Sequence, residues 1–259
     1  MIASGALTLE NPAYFDRLAE AESSHWWSVG LWALATYWLN QALRGRSGLH
    51  ALDVGCGAGG TLRRLSARKE ISRVVGVDPS PAALRLARAQ GKHVLSGDAT
   101  ALPFRDGSFD LVTCLDVWQH LPMGGDLQSA REIRRVLRPG GVVLLRANGR
   151  GLWPNPEARP APYSLSTIVR TLRESGLTPR RATYANGLPA VGQEVLGRLR
   201  GASRAKEAHP SGGGLRLRRP SPSRDRLMSG ISQTEAFLAG RLGVVLPVGH
   251  STMALAIAR

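Results

Sequence analysis

The sequence has little cysteine. Cys56 and Cys114 are the only two in 259 residues, too few for a disulfide framework. No spacing of Cys and His resembles a zinc site, so no metal is expected. The chain does not open on a basic stretch followed by an apolar run, so no secretory leader is expected and the cytoplasm is the expected compartment. Lysine is scarce: Lys69, Lys92 and Lys206 are the only three, and every other basic residue is arginine. Acidic residues are scarce as well, 19 against 34 basic, for a net charge of +15. Charge of either sign is missing altogether from residues 26–43. Eighteen uncharged residues lie at the lower edge of a membrane span, but Ser28, Thr36, Asn40 and Gln41 interrupt the run and Gly30 weakens it. A buried or cap helix is the expected reading. No integral membrane segment is expected, and contact with a membrane surface is left open.

What is present is ordinary globular material: 43% hydrophobic and 20% charged residues, enough to bury a full core and unlike a disordered chain. The basic excess invites a nucleic-acid, anionic-membrane or acidic-substrate partner. Its distribution argues otherwise. Residues 198–226 hold 9 basic and 2 acidic groups, whereas residues 49–148 hold 14 and 9. Nearly half of the excess thus falls in one stretch, and residues 201–224 within it are rich in Gly, Ser, Pro and Arg, the composition of a flexible loop.

Residues 12–44 read as two helices, the first opened by Asn11-Pro12 and the second holding Trp26, Trp27, Trp32 and Trp38. From residue 50 short apolar runs alternate with arginine-studded helical patterns. Strands are expected at 50–55, 73–78, 93–97, 109–116 and 141–147, and helices at 60–69, 81–90 and 125–138. The last of these places Leu127, Ala130, Ile133, Val136 and Leu137 on one face, and Pro139-Gly140-Gly141 is expected to end it. This alternation points to a parallel sheet covered on both faces. Beyond a proline-rich loop at 153–162, helices are expected at 164–175, 188–200 and 225–242, with strands at 181–186 and 252–258.

The chemistry gathers at Ala51-Leu-Asp-Val-Gly-Cys-Gly-Ala-Gly-Gly60, where a strand ends in a glycine loop that opens a helix. Gly55-x-Gly57-x-x-Gly60 matches the dinucleotide fingerprint literally. Asp53, two residues before the first glycine, would repel a pyrophosphate and attract an ammonium group. Asp78 ends the strand Val74-Val-Gly-Val-Asp78 and can accept from both hydroxyls of a ribose, a device that dinucleotide and adenosyl cofactors share. Asp98 ends the third strand and can accept from an adenine amino group, while the N–H of Ala99 can donate to a ring nitrogen.

Taken in order, Asp53-Val-Gly-Cys-Gly-Ala-Gly, Val77-Asp78, Gly97-Asp98-Ala99 with Leu102-Pro-Phe104, Ser108-Phe-Asp-Leu-Val112 and Arg135-Val-Leu-Arg-Pro-Gly-Gly141 resemble the class I S-adenosylmethionine-dependent methyltransferases, of the bacterial small-molecule type. The resemblance implies an α/β, Rossmann-like, doubly wound seven-stranded sheet, mostly parallel with an antiparallel last strand, plus a helical cap. It implies S-adenosyl-L-methionine as cofactor, held by Asp53, Gly55, Cys56, Gly57, Asp78, Pro79, Asp98, Ala99 and Leu115. Residues 1–48 would form the cap, 49–148 the cofactor-binding core, and 149–259 the rest of the sheet with a helical insertion and the basic loop. Tyr14 to Trp27, ending in Glu22-Ser-Ser-His-Trp-Trp27, together with Tyr163-Ser-Leu and Tyr184-Ala-Asn186, resemble the flanks of one bacterial branch, except that Ser28-Val-Gly-Leu-Trp32 is apolar where that branch is basic. Tyr14, Trp26, Trp27, Trp118 and Tyr163 are the candidate acceptor-pocket residues, and His120 the candidate general base. Cys56 and Cys114 are expected to pack rather than react.

The expected partner is a small or medium acceptor: a secondary metabolite, a sugar or a lipid-like compound. The end of the fourth strand lacks the Asp/Asn-Pro-Pro-aromatic element of amino-methylating nucleic-acid enzymes, and no Pro-Cys nucleophile of the cytosine C5 type is present, so nucleic acid is not the expected partner. The alternatives weighed are a binder of the cofactor that methylates nothing, an RNA methyltransferase using the basic loop as an arm, and, least favoured, a nicotinamide enzyme.

Overall fold

A computed structural model of the chain describes residues 25–149, 163–189, 191–192 and 222–259. Seven strands, β1 (Leu49–Val54), β2 (Ile71–Asp78), β3 (Val94–Ser96), β4 (Phe109–Leu115), β5 (Leu137–Asn148), β6 (Leu177–Ala185) and β7 (Ser251–Ala258), form one sheet in the order β3-β2-β1-β4-β5-β7-β6. The first five pair in parallel. β7 runs antiparallel to both of its neighbours. The order reverses between β1 and β4, which leaves a crevice at the carboxyl ends of these strands, where open α/β sheets place their ligands.

Apolar residues fill both faces of the central strands. On one face Leu52, Val54, Val112, Cys114, Val143 and Leu145 pack with Ala130, Ile133 and Val136 of α4 (Gly125–Val136) and Ile168 and Leu172 of α5 (Leu165–Glu174). On the other, Ala51, Leu111, Val142, Leu144 and Leu255 pack with Leu31, Leu34, Trp38 and Leu39 of α1 (Trp26–Ala42) and with Ala236 and Ala239 of α6 (Pro222–Arg241). Two further helices, α2 (Gly60–Ser66) and α3 (Pro81–Ala89), follow β1 and β2. Local signals fix several helix ends. Ser80 accepts from the N–H of Ala83 ahead of Pro81, and the Ser164 hydroxyl accepts from the N–H of Thr167 at 3.1 Å.

The uncharged run is α1, covered by the sheet and by α6. No described helix is long and apolar enough to cross a membrane. The two helices approach closely at Gly30, where a Cβ would stand 2.5 Å from the Cβ of Ser232. α6 lies between β6 and β7 in the chain, as the expected helical insertion does. One boundary differs from expectation. Pro139-Gly140 does not precede β5 but forms its bent start: Leu137 already pairs with Phe109, and regular pairing resumes at Leu111 and Val142. The expected first helix of 12–44, the proline-rich loop and most of the basic stretch lie outside the described residues. Of the helix expected at 188–200, only its start, at 187–189 and 191–192, is described.

Candidate cofactor and acceptor site

The glycine loop folds back onto the end of β2: the N–H groups of Gly55 and Cys56 both donate to the carbonyl of Val77, at 2.8 and 3.1 Å. Gly55 (φ +71°) and Gly57 (φ +51°) take left-handed conformations, which favour glycine. A Cβ on Gly55 would meet Val117 at 2.3 Å, whereas nothing lies within 4 Å of a Cβ on Gly57. The loop is therefore walled on one side and open on the other. Asp78 holds it in place. One carboxylate oxygen accepts from the N–H of Gly57 at 2.9 Å and the other from the N–H of Ser80 at 2.8 Å. Burial raises the Asp78 pKa, and these two hydrogen bonds pull it back. A carboxylate offers about four lone-pair sites, so Asp78 keeps acceptor capacity for a ribose. Pro79 beside it is exposed.

Asp53 is 2% exposed and accepts from the Thr113 hydroxyl of β4 at 2.6 Å; it sits within the sheet, beneath the loop. The Cys56 thiol is pushed well up by burial first and by Asp53 and Asp78 next. That is the state of a packing residue and not of a nucleophile. Cys114 is fully buried and its thiol is shifted the same way, chiefly by burial.

At the exit of β3, exposed Asp98 accepts from both the N–H and the hydroxyl of Thr100 at 2.7 Å, and these bonds hold its carboxyl below the usual range. Ala99 beside it is buried. The Leu102-Pro-Phe104 segment that follows is gripped from α4. Glu132 accepts from the N–H of Leu102 at 2.8 Å, and Arg135 donates to the carbonyls of Leu102 and Phe104 at 3.0 and 2.7 Å. Sequence reading placed no role on Glu132 or Arg135; their i,i+3 spacing of opposite charges was the available signal.

The exits of β4 and β5 carry the acceptor candidates. Leu115 is half-buried at the end of β4. Asp116 follows in a left-handed conformation, φ +59°, its carboxylate gripped by Arg146 through two bonds of 3.0 and 2.5 Å. The Arg146 guanidinium lies 5.1 Å from the ring centre of Trp27, and the carbonyl of Trp27 accepts from Asn186 at 3.2 Å. Trp27 and Asn186 were singled out in the sequence, but their meeting with Arg146 and Asp116 was not anticipated; an arginine in the otherwise apolar run Val142-Val-Leu-Leu-Arg146-Ala147 was its trace. Trp26 is buried, and its N–H donates to Asp225 at 3.3 Å.

Trp118, expected in the acceptor pocket, faces the core instead. It is 1% exposed and its indole N–H donates to the Ser129 hydroxyl of α4 at 3.3 Å, because a large apolar ring at the root of α4 gains more from burial than from the crevice. Tyr163 packs on it, its hydroxyl donating to the Trp118 carbonyl at 3.3 Å. Burial, then Asp126 and Cys114, push the phenol up to about 12. His120, itself exposed, closes a 3-10 turn (Trp118–His120) at the β4 exit. Desolvation lowers its imidazole pKa, with Asp116 pulling the other way. Tyr14 lies outside the described residues. Among the described residues no group of three or more His, Cys, Asp or Glu side chains could hold a metal ion.

Comparison with known proteins agrees with this geometry. Residues 52–145 match the family described as a methyltransferase domain. Over 161 residues the chain is 31% identical to the 2-methyl-6-phytyl-1,4-hydroquinone methyltransferase of Synechocystis, covering 54% of this chain and 49% of that protein. Over 147 residues it is 29% identical to the ubiquinone biosynthesis O-methyltransferase of Acinetobacter baumannii, covering 51% and 60%. The chain thus spans less than two thirds of the length of these curated relatives. The crystal structure of a putative sarcosine dimethylglycine methyltransferase from Galdieria sulphuraria shares the fold, with a TM-score of 0.55 at 19% identity over 88% of this chain and 84% of that one. A carboxylate with spare lone pairs at the β2 tip and an open glycine loop fit S-adenosylmethionine as the cofactor. Residues 52–145 thus resemble a methyltransferase domain in sequence, and the seven-stranded sheet around them shares the fold of such enzymes.

Proposed function

We propose that the chain transfers the methyl group of S-adenosylmethionine to a small or medium molecule, of the secondary-metabolite, sugar or lipid-like kind. The observation that carries this reading is Asp78, which pins the glycine loop through Gly57 at the tip of β2 and still has acceptor capacity to spare. When bound, the cofactor supplies a sulfonium-activated methyl, so the chemistry is an in-line displacement. The protein's share is alignment and exclusion of water. In the proposed site Gly55, Cys56 and Gly57 line the methionine end, Asp78 with Pro79 the ribose, and Asp98, Ala99 and Leu115 the adenine. Asp53 orders the loop from below through Thr113. Trp26, Trp27, Tyr163 and Tyr14 border the acceptor side. His120, neutral at pH 7 and at the β4 exit, takes the proton of a hydroxyl acceptor. The phytyl hydroquinone in the name of the Synechocystis relative, and ubiquinone biosynthesis in that of the Acinetobacter relative, support a lipid-like acceptor.

Isothermal titration with S-adenosylmethionine and S-adenosylhomocysteine tests the cofactor reading, and labelled-methyl transfer to a panel of hydroquinones, sugars, peptides and RNA tests the acceptor class. Binding of both ligands and turnover on the small molecules are expected. No binding at millimolar ligand overturns the first reading; turnover on peptide or RNA alone overturns the second.

A further inference from the structure

Arg146 joins three parts of the molecule that have no covalent reason to move together. Its backbone sits in β5, paired with Leu115 of β4 on one side and Met253 of β7 on the other. Its side chain, 7% exposed, forks onto Asp116, and its guanidinium carbon lies over the Trp27 ring on the first turn of α1, 5.1 Å from the ring centre. Asp116 also donates its own N–H to the Arg146 carbonyl at 2.9 Å, so both ends of the residue are tied to the same strand. A left-handed conformation at a non-glycine residue is uphill; here the two-point grip keeps Asp116 in it. The next residue, Val117, forms the wall against Gly55 of the cofactor loop. A continuous path therefore runs from Trp27 through Arg146 and Asp116 to Val117 and Gly55. The first turn of α1 is latched a second time where Asn186, at the exit of β6 and itself left-handed at φ +56°, donates to the Trp27 carbonyl.

We propose that Arg146 is a positioning residue that couples the docking of the α1 cap to the shape of the cofactor loop. The guanidinium is buried between a carboxylate and a ring, so it does not serve as a binding point for an anionic acceptor; its planar fork and stacking face hold Trp27 and Asp116 at once, which an ammonium group does not do. Coupling is reciprocal: cofactor on the loop steadies the start of α1, and a docked α1 tightens the cofactor. Since Trp27 borders the proposed acceptor side, the cap then closes over a loaded site in preference to an empty one. The proposal rests on the cofactor reading above.

Its test is amide hydrogen exchange with and without S-adenosylhomocysteine, together with titration of that ligand, on the full chain and on Arg146→Met, Arg146→Lys, Trp27→Leu and Trp27→Phe. In the wild-type chain the ligand is expected to slow exchange in the first two turns of α1. In Arg146→Met and Trp27→Leu that protection is expected to vanish and the ligand to bind about five- to tenfold more weakly. Arg146→Lys should behave like Arg146→Met, whereas Trp27→Phe, which keeps a ring over the guanidinium, should behave like wild type. The double variant Arg146→Met with Trp27→Leu should lose little more than either alone. A purely structural role would lower stability without removing the ligand-dependent difference at α1. Trp27 is only half-buried, so its variants keep the test decisive if Arg146→Met fails to fold. Variants that bind within about twofold of wild type and keep the protection overturn the coupling alone. A wild-type chain that does not bind the ligand overturns the cofactor reading, and the coupling falls with it.

Discussion

At the level of single residues, Asp78 is the most exposed to test. Its two oxygens each accept a backbone N–H, from Gly57 and Ser80. Asn in its place supplies one acceptor and turns an NH2 group against the other N–H. Hydrogen bonds to a charged group contribute about 1.5–3 kcal/mol each, so Asp78→Asn should weaken S-adenosylhomocysteine at least about tenfold by titration calorimetry. Gly55→Ala adds a Cβ where Val117 stands 2.3 Å away, on a residue at φ +71°. A lower melting temperature and weaker cofactor binding are expected together, because the same contact shapes loop and wall. His120 makes a pH-dependent prediction. Its pKa lies below the ordinary imidazole value of 6.5, so the neutral base dominates at pH 7 and turnover on a hydroxyl acceptor should fall only at pH values under 6.5. His120→Asn should cut kcat by about 100-fold, erase that acid limb and leave cofactor affinity unchanged. The glycines and Asp78 were legible in sequence because the strand, turn and acid are contiguous and each residue type has one physical reason to be there. Trp27 was a candidate, but its contact with Arg146, and the Arg146–Asp116 pair itself, were not legible. A charged side chain in an apolar strand must find a partner, but sequence spacing does not say which one when the partners stand 30 and 119 positions away.

Between elements, two carboxylates, half-buried Glu132 and buried Glu235, act as clamps and respond to acid in opposite ways. Glu132 on α4 accepts from Leu102 and from Arg135, and the Arg135 bonds, the largest cause, hold its pKa below the ordinary 4.5. A carboxyl lowered by the fold stabilises it above the unfolded pKa, and that contribution disappears as pH falls through the lower, folded value. Glu132→Gln should therefore lower the melting temperature at pH 7 and flatten its decline below about pH 4.5, read by thermal melts across pH 3–7. Glu235 on α6 is 2% exposed and accepts from Gly187 and Leu188 at 3.1 and 2.8 Å through different oxygens. Burial raises its pKa despite those bonds, so acidification from above toward 4.5 relieves part of the cost of burying its charge. Glu235→Gln retains one acceptor of the two and should destabilise the fold by about 1–3 kcal/mol in urea unfolding. Neither clamp was anticipated, although α4 itself was, with Ala130, Ile133 and Val136 buried as its periodicity required. The start of β5 was misplaced because Pro139-Gly140 carries a strong local turn signal, and only the long-range pairing of Leu137 with Phe109 overrides it. The uncharged α1 was ambiguous for a related reason: composition reports that a helix is to be covered, and only tertiary packing shows that α6 and the sheet cover it.

For the molecule as a whole the open quantity is the charge of +15. Among the described residues Asp53, Asp78, Asp98 and Asp116 gather at the cofactor edge of the sheet, and Arg146 beside them is engaged by Asp116. A polyanion approaching the crevice would meet carboxylates, which agrees with an apolar or neutral acceptor better than with RNA. The stretch 198–226 carries +7 by itself, so electrostatic attraction to nucleic acid and methyl transfer should be separable. Replacing Arg204, Lys206, Arg216, Arg218 and Arg219 by Gln removes five positive charges without touching a residue of the proposed site. The wild-type chain is expected to bind a labelled single-stranded RNA weakly, with an affinity that falls steeply as salt rises, at a log–log slope of about 0.7 per phosphate neutralised. The neutralised variant should lose most of that binding and show a shallower slope, while its titration with S-adenosylhomocysteine and its turnover on a small acceptor stay as in wild type. If RNA is instead methylated by the wild-type chain and not by the variant, the basic stretch is a substrate arm and the acceptor is a nucleic acid. The two outcomes differ in a single measurement, the transfer of labelled methyl to RNA at physiological salt, where a purely electrostatic encounter leaves the RNA unlabelled.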